Sequence, residues 1–252
     1  MSKKNIKASI IAVGKFLPEK RLTNSDLEKL VETNDEWIKT RTGIEERRIV
    51  EKGQASSYMS VNAFKNLQKN YNVNPEDVDA IIVATVTPDM LFPSTACLVQ
   101  NEIGATNAFG FDLSGACSGF LFALDTGTRF IESGKYKKVL VFGVDTMSSV
   151  VDYTDRNTCI LFGDGAGVVL LEASEDENGI IDSELKIDGS GAEFLNMKAG
   201  GSLHPATLET VKNREHFAYQ DGRSVYKYAV KGMADISHDV AERNGLTPET
   251  ID

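Results

Sequence analysis

Apolar and polar positions alternate along this chain with a period that changes several times. "ASIIAVG" is a continuous apolar run and predicts a strand. "TNSDLEKLV" and "TNDEWIKTRTG" open with residues able to cap, and predict two short helices, the second stopped by Gly43. "SSYMSVNAFKNLQKN" carries apolar residues at helical spacing. There follow a strand in "DAIIVATV", a helix in "PSTACLVQNEIG" and a strand in "AFGFDLSG". A helix in "SGFLFALDTGTRFIESG", ended by Gly134, and a strand in "KVLVFGVD" complete the run. Strands this apolar cannot face water, so the alternation predicts an α/β fold.

Further on, the pattern differs. "CILFGDGAGVVLLEAS" and "IIDSELKIDGS" read as strands with no helix between them, which predicts an antiparallel pair joined through tight glycine turns. Residues 191 to 220 are loop-rich. From Arg223 to Arg243, Val225, Ala229, Val230, Met233 and Ile236 recur at helical spacing and predict a long helix.

One internal similarity bears on the organisation. "NVNPEDVDAIIVATV" and "NGLTPETID" both place Pro-Glu-x-(Val/Ile)-Asp after a predicted helix. Chance is the competing explanation. Read as duplication, the similarity divides the chain into a complete N-terminal half, 1–175, and the opening of a second half, 176–252, cut short where its first core strand is expected.

Composition narrows the function classes. The 252 residues carry 27 Lys and Arg against 37 Asp and Glu, a net charge of −10, which argues against a general nucleic-acid binder. A local basic patch for an acidic partner stays open. No apolar stretch approaches the roughly 20 residues that span a bilayer. The lysines at 3, 4 and 7 are followed only by "SIIAV", too short for a signal-peptide core, so a cytoplasmic protein without membrane association is expected. The 3 cysteines, widely spaced, form neither a disulfide framework nor a zinc pattern. His204, His216 and His238 show no metal spacing and are read as solvated, so no metal is expected.

Cys117 is the candidate for chemistry. It stands in "FDLSGACSGFLFAL", where a strand gives way to a helix, among Gly115, Ala116, Ser118 and Gly119. The first turn of a helix presents unpaired N–H groups and a positive dipole end, which favour a thiolate. The alternative is a small core hydrophobe. The helix that follows is apolar almost all round and is expected to be buried. Cys97, within a helix, and Cys159, in an apolar strand, are expected to be packing residues. "FGDGAGVVLL" lacks both the Lys-Ser/Thr of a phosphate loop and a following helix, so it reads as a glycine turn between strands.

Five segments in order then resemble one family. They are "DEWIKTRTGIEERRI" (35–49), "FPSTAC" (92–97), "DLSGACSGF" (112–120), "DYTDRNTCILFGDGAG" (152–167) and "YQDGRSVYKYAV" (219–230). Together they resemble β-ketoacyl–acyl-carrier-protein synthase III, over essentially the whole chain. The resemblance implies a thiolase-like fold, duplicated βαβαβαββ layers in an α-β-α-β-α sandwich, here with the second half incomplete. It implies initiation of type II fatty-acid synthesis. Cys117 would take the acyl group of a short acyl-CoA, such as acetyl-CoA, and malonyl-acyl-carrier protein would then condense with it by decarboxylation. No cofactor is implied, since acyl-CoA is a substrate. A homodimer is implied.

The resemblance also assigns residues. Trp37 and Arg156 match the pair that sandwiches the CoA adenine, and Arg41 a residue near the CoA phosphates. Leu161, Phe162, Gly222 and Tyr226 match positions lining the CoA and acyl channel. Phe92 matches a residue reaching across the dimer to floor the partner's acyl pocket, where its size suggests a short primer. Arg223, Lys227 and Lys231 match the helix that docks the carrier protein. For each residue alone, a half-buried aromatic or a solvated surface charge is the ordinary alternative. Gln220, Ser224 and Tyr226 depart from the family's usual Met, Glu and Phe. The family's catalytic His (His-Gln-Ala-Asn), its Asn (Asn-Thr-Ser) and an oxyanion glycine are expected after Asp252, so the 252 residues are expected to lack condensation activity. A polyketide-, quinolone- or hydroxymethylglutaryl-CoA-type condensing enzyme and a non-catalytic dimerisation or carrier-binding fragment are the alternatives.

Overall fold

The computed structural model describes residues 6–174 and 178–251. In chain order the first elements are β1 (Lys7–Phe16), β2 (Lys20–Thr23), α1 (Asn24–Leu27), α2 (Asp35–Thr42), β3 (Glu46–Ile49) and α3 (Ser56–Asn70). Then come β4 (Ala80–Ala84), α4 (Thr95–Ile103), β5 (Phe109–Leu113), α5 (Gly119–Glu132), β6 (Lys138–Thr146) and β7 (Asp164–Ser174). The last are β8 (Leu195–Asn196), α6 (Leu208–Lys212), β9 (Tyr219–Gln220) and α7 (Gly222–Arg243). Two compact units result. The first takes in residues up to Leu22, Glu46–Ser149 and Gly163–Ile181; the second Thr23–Glu45, Val150–Phe162 and the residues from Asp182.

The first unit is built on a five-stranded sheet of order β1-β7-β6-β4-β5. β4 runs parallel to both β5 and β6, while β7 runs antiparallel to β6 and β1. The central strands are apolar on both faces because both faces are covered. On β4, Ile81 and Val83 join the core beneath α3 and α4, with Met59, Phe64 and Val99. Ala80, Ile82 and Ala84 join the opposite core, with Ala123 and Ile131 of α5. β6 divides in the same way, Leu140 and Phe142 to one side, Val139 and Val141 to the other. This two-residue alternation lets a continuous apolar run serve two cores.

α3 covers β1 through a close approach at Gly14. A Cβ there would stand 2.4 Å from the Ala63 carbonyl and 2.6 Å from the Leu67 Cβ.

In the second unit, the Asp221 carboxylate accepts from the Arg223 and Ser224 N–H groups and starts α7. At the other end of α7, Arg243 donates to Asp182 at 2.8 Å and to Glu184 at 2.9 Å. The sequence similarity reappears as a shared turn. The Asp77 N–H donates to the Asn74 carbonyl at 3.1 Å, and the Thr250 N–H to the Thr247 carbonyl at 2.9 Å. Both turns follow a helix and contain Pro-Glu.

Several expectations are corrected. β7 begins at Asp164, and Cys159 to Leu161 lie in turns. Gly165 and Gly167 are inside β7 rather than in a turn. That strand is paired on both sides, so the ladder holds glycines that alone would signal a bend. "IIDSELKIDGS" forms no strand. Its polar residues serve ion pairs instead, Asp182 and Glu184 with Arg243 and Lys186 with Glu184. The expected pair between those two segments is absent, and β7 pairs with β1 and β6. α5 packs along one face only, and Leu121 on the other is 56% exposed. Among the described residues, no helix is long and apolar enough to cross a membrane.

The Gly14 contact gives a paired prediction. Gly14→Ala should destabilise the fold by about 1–3 kcal/mol, since backbone rather than a flexible side chain must yield. Gly167→Ala, whose Cβ meets nothing within 4 Å, should change stability by less than about 1 kcal/mol. Thermal melts of both variants check this.

Candidate active site

β4, β5 and β6 are parallel neighbours, and their C-terminal ends form the edge where open α/β sheets place their chemistry. Cys117 follows the C-terminal end of β5, in a single 3₁₀ turn, Ala116–Ser118, that leads directly into α5. Its side chain is exposed. Ala116, just before it, is held at φ 46°, a left-handed conformation unusual for alanine. Gly115 is needed for close approach: a Cβ there would stand 2.8 Å from the Gly119 Cα and 3.0 Å from the Phe122 ring.

The amides of this turn are kept open. Neither the 3₁₀ turn nor α5 has a side-chain cap. By contrast Asn34, Ser94, Thr207 and Asp221 cap α2, α4, α6 and α7. Unpaired N–H groups at a helix start favour negative charge nearby, on a sulfur or on an oxyanion. For the 3₁₀ turn the cause is local, because its N-cap Gly115 has no side-chain oxygen; Ser118, the N-cap of α5, has helical backbone angles and makes no capping bond.

Three carboxylates tie the ends of β5 and β6 and the loop after β4 to neighbouring segments. Asp112 accepts from the Thr95 N–H at 2.7 Å and the Ala96 N–H at 2.8 Å, tying β5 to the start of α4. Asp145 accepts from the Val86 N–H at 2.9 Å and from the Thr87 N–H and hydroxyl at 3.2 and 2.9 Å. Asp89 accepts from the Ser57 N–H and hydroxyl at 2.8 and 2.6 Å. Between these anchors Leu91 and Phe92 protrude, 83% and 84% exposed.

The remaining candidates belong to the second unit. The Arg156 guanidinium lies 4.5 Å from the Trp37 ring centroid and that of Arg41 4.7 Å. Trp37 therefore carries two cations on its ring system, a cation–π arrangement. Leu161 and Phe162 are half-buried in the turn-rich segment that also carries Arg156. Gly222 opens α7, with Tyr226 one turn further on and 70% exposed. Arg223, Lys227 and Lys231 follow at four-residue intervals and are all exposed. α7 has no buried residue, and Val230 and Met233 are 52% and 70% exposed.

The other cysteines and the histidines separate differently from expectation. Cys159 is buried, though in a turn. Cys97 is exposed, on the face of α4 opposite the buried Ala96 and Val99. His216 is not simply solvated: its Nδ1 is buried without a hydrogen-bond partner among the described residues, and its ring lies 4.0 Å from that of Phe217. Among the described residues no three His, Cys, Asp or Glu side chains cluster as metal ligands do.

Sequence reasoning missed the carboxylate anchors. Asp112 and Asp145 had a signal, an acid at the end of an apolar strand run. A second missed group is the pair of Arg214 with Asp152. The Arg214 Nε donates to Asp152 at 2.6 Å, and its terminal nitrogen donates to the other carboxylate oxygen. This bidentate contact holds the Asp152 carboxyl well below the usual range and raises the Arg214 guanidinium. The two residues are 62 apart in sequence, and no local pattern joins them.

The parallel strands, the strand-end cysteine and its uncapped helix define a thiolase-like α/β protein with a cysteine site. Comparison with known proteins agrees. A family model, 3-oxoacyl-[acyl-carrier-protein (ACP)] synthase III, matches residues 111–189. A β-ketoacyl-[acyl-carrier-protein] synthase III from Chlorobium phaeovibrioides is 57% identical over 97% of this chain and 75% of its own length. The crystal structure of a 3-oxoacyl-[acyl-carrier-protein] synthase III from Aquifex aeolicus superposes with TM-score 0.86 at 44% identity, over 96% of this chain and 73% of that one. The priming β-ketosynthase of the R1128 polyketide pathway superposes with TM-score 0.85 at 30% identity, over 98% and 73%. The chain belongs to the β-ketoacyl–acyl-carrier-protein synthase III family.

The turn geometry gives a prediction. Gly115→Ala should leave the circular dichroism spectrum unchanged but slow reaction of Cys117 with a thioester by roughly 10- to 100-fold. The added methyl must displace the turn that presents the sulfur, and displacements of this size cost rates of that order. Single-turnover labelling, read by mass spectrometry, checks it.

Proposed function

We propose that this chain carries the acyl-transfer half of an initiating condensing enzyme of fatty-acid synthesis, with Cys117 as nucleophile. The observation that carries the reading is the exposed Cys117 in an uncapped turn at the mouth of α5. The thiolate attacks the thioester carbonyl of a short acyl-CoA, and acetyl-CoA is the starter we favour. The negative oxygen is stabilised by unpaired backbone N–H groups, of which that of Cys117 is one. The C–S bond to CoA breaks, CoA leaves as its thiol with a proton, and the acyl group stays on Cys117. In the full reaction malonyl-acyl-carrier protein loses carbon dioxide, its enolate carbon attacks the acyl group, and Cys117 is released as thiolate.

In this reading Trp37 and Arg156 hold the adenine of CoA, and Arg41 meets its phosphates. Stacking on planar, cationic surfaces suits the first role, and a free guanidinium the second. Leu161, Phe162, Gly222 and Tyr226 line the channel. Phe92, held out between anchored segments, floors the acyl pocket of a second copy in a homodimer. Arg223, Lys227 and Lys231 present a cationic strip to the acidic carrier protein. The division into halves at 1–175 and 176–252, the cytoplasmic location and the lack of a cofactor belong to the same proposal.

Condensation needs groups that polarise the malonyl thioester. No histidine here stands in a His-Gln-Ala-Asn sequence: Pro-Ala-Thr follows His204, Phe-Ala-Tyr His216 and Asp-Val-Ala His238. The 252 residues are therefore expected to acylate but not to condense at a useful rate. Incubation with acetyl-CoA followed by peptide mass mapping tests this. An acetyl group on the Cys117 peptide, with no β-ketoacyl product when malonyl-acyl-carrier protein is added, is the expected result. Acetylation of Cys97 in its place would contradict the assignment.

A further inference from the structure

Two guanidiniums stand on Trp37, those of Arg41 and Arg156, and neither makes an ion pair among the described residues. Of the acids nearest Arg41 in sequence, Asp35 accepts from Asn24 at 2.8 Å and pairs with Lys39 at 3.2 Å, and Glu45 lies 3.5 Å from Lys39. On the Arg156 side the chain folds through successive turns. The Asp155 N–H donates to the Asp152 carbonyl at 3.0 Å, and the Cys159 N–H to the Asp155 carbonyl at 3.0 Å. Asp155, next to Arg156, is taken up locally by the Asn157 N–H at 3.0 Å and the Thr158 hydroxyl at 2.9 Å.

Asp152 stands four residues before Arg156 on the same folded segment. Local donors satisfy only part of it: the Thr154 N–H and hydroxyl both donate to one oxygen, at 2.8 and 2.7 Å. The remaining charge is met by Arg214, reaching in from a distant stretch of the chain. The Ala218 N–H, donating to the Val150 carbonyl at 2.8 Å, holds that stretch alongside. Arg214 itself sits at φ 61°, unusual for a non-glycine residue, and its guanidinium lies 5.0 Å from the Phe217 ring. The side chain of Asp152 is only 14% exposed, so water offers it little compensation.

We propose that Arg214 is a positioning residue for acyl-CoA binding: by engaging Asp152 at both oxygens it keeps that carboxylate from capturing Arg156, and so leaves Arg156 on Trp37 as a free cation. The proposal rests on the reading of Trp37, Arg41 and Arg156 as the CoA site. An arginine is required because the planar fork meets both oxygens at once, which a lysine does not. Without Arg214, a poorly solvated carboxylate four residues before Arg156 on the same folded segment would lack a cation, and Arg156 is the cation it would draw off Trp37.

The experiment uses Trp37, the single tryptophan of the chain, as its reporter. CoA is titrated against wild type, Arg214→Gln, the double variant Arg214→Gln with Asp152→Asn, and Arg156→Ala, reading Trp37 emission. Arg214→Gln should weaken CoA binding about tenfold, and the double variant should return to within about threefold of wild type. A merely structural pair would lower the melting temperature of the single variant and leave the CoA affinity of its folded protein unchanged, so a thermal melt accompanies each titration. Should Arg214→Gln fail to fold, Arg214→Gly, which accepts the positive φ, carries the same comparison with and without Asp152→Asn. Wild-type affinity in the Arg214 variant, or a double variant as weak as the single, overturns the proposal. A wild-type emission that CoA does not change, or wild-type affinity in Arg156→Ala, overturns the CoA-site reading beneath it, and the proposal with it.

Discussion

Negative charge needs donors, and at the start of α5 the donors are left unclaimed. Most other helices of this chain close their first turn with a side-chain oxygen, whereas Gly115 and Ala116 leave the turn around Cys117 without one. The rest of the first unit holds that opening in place. β5 feeds the turn, and the Leu113 carbonyl takes the Thr85 N–H of the neighbouring strand end. Gly115 lets the turn lie against Gly119 and Phe122, and Ala116 is kept in a conformation it would not choose alone. Strain of that kind persists only where surrounding structure over-determines it.

Acidic residues do much of that determining. An excess of carboxylates speaks, at the level of the sequence, only about partners. In the structure many of them serve as acceptors for backbone N–H groups left unpaired at helix starts and in the loops between elements. Asp112, Asp145 and Asp89 do so at the ends of β5, β6 and the loop after β4. Asp164 does so at the start of β7, taking the Val50 and Ser148 N–H groups at 2.9 and 2.8 Å. Asp152 and Asp155 organise the segment carrying Arg156. An ionised carboxylate accepts several hydrogen bonds at once, and such bonds are stronger than neutral ones. That makes Asp the economical residue for tight strand-end loops.

What could be read in advance follows from the range over which each cause acts. The helix over 56–70 and the stop at Gly43 follow from neighbours in sequence, and both were legible. So was the placement of Cys117 where β5 gives way to α5, because its cause is a junction a few residues long. β7 was misread at its start, because Gly165 and Gly167 look like a turn until two partner strands are known. "IIDSELKIDGS" alternates because its acids face Arg243 rather than because it joins a sheet. Cys97 looked like a core residue from its apolar neighbours, but it lies on the outer face of its helix. The pair of Arg214 and Asp152, like the anchoring of α4 by Asp112, depends on contacts between distant segments that periodicity does not carry.

Cys97 and Cys117 are both exposed and both lie near a helix start, but a side-chain oxygen from Ser94 caps the first and nothing caps the second. Competitive alkylation of the native protein with limiting iodoacetamide, quantified for the two peptides, separates exposure from activation. The account predicts that Cys117 is modified at least about tenfold faster, since the turn that carries its sulfur is left uncapped whereas that of Cys97 is closed by Ser94. Equal rates at the two sulfurs would show that accessibility alone governs Cys117 and would contradict the account.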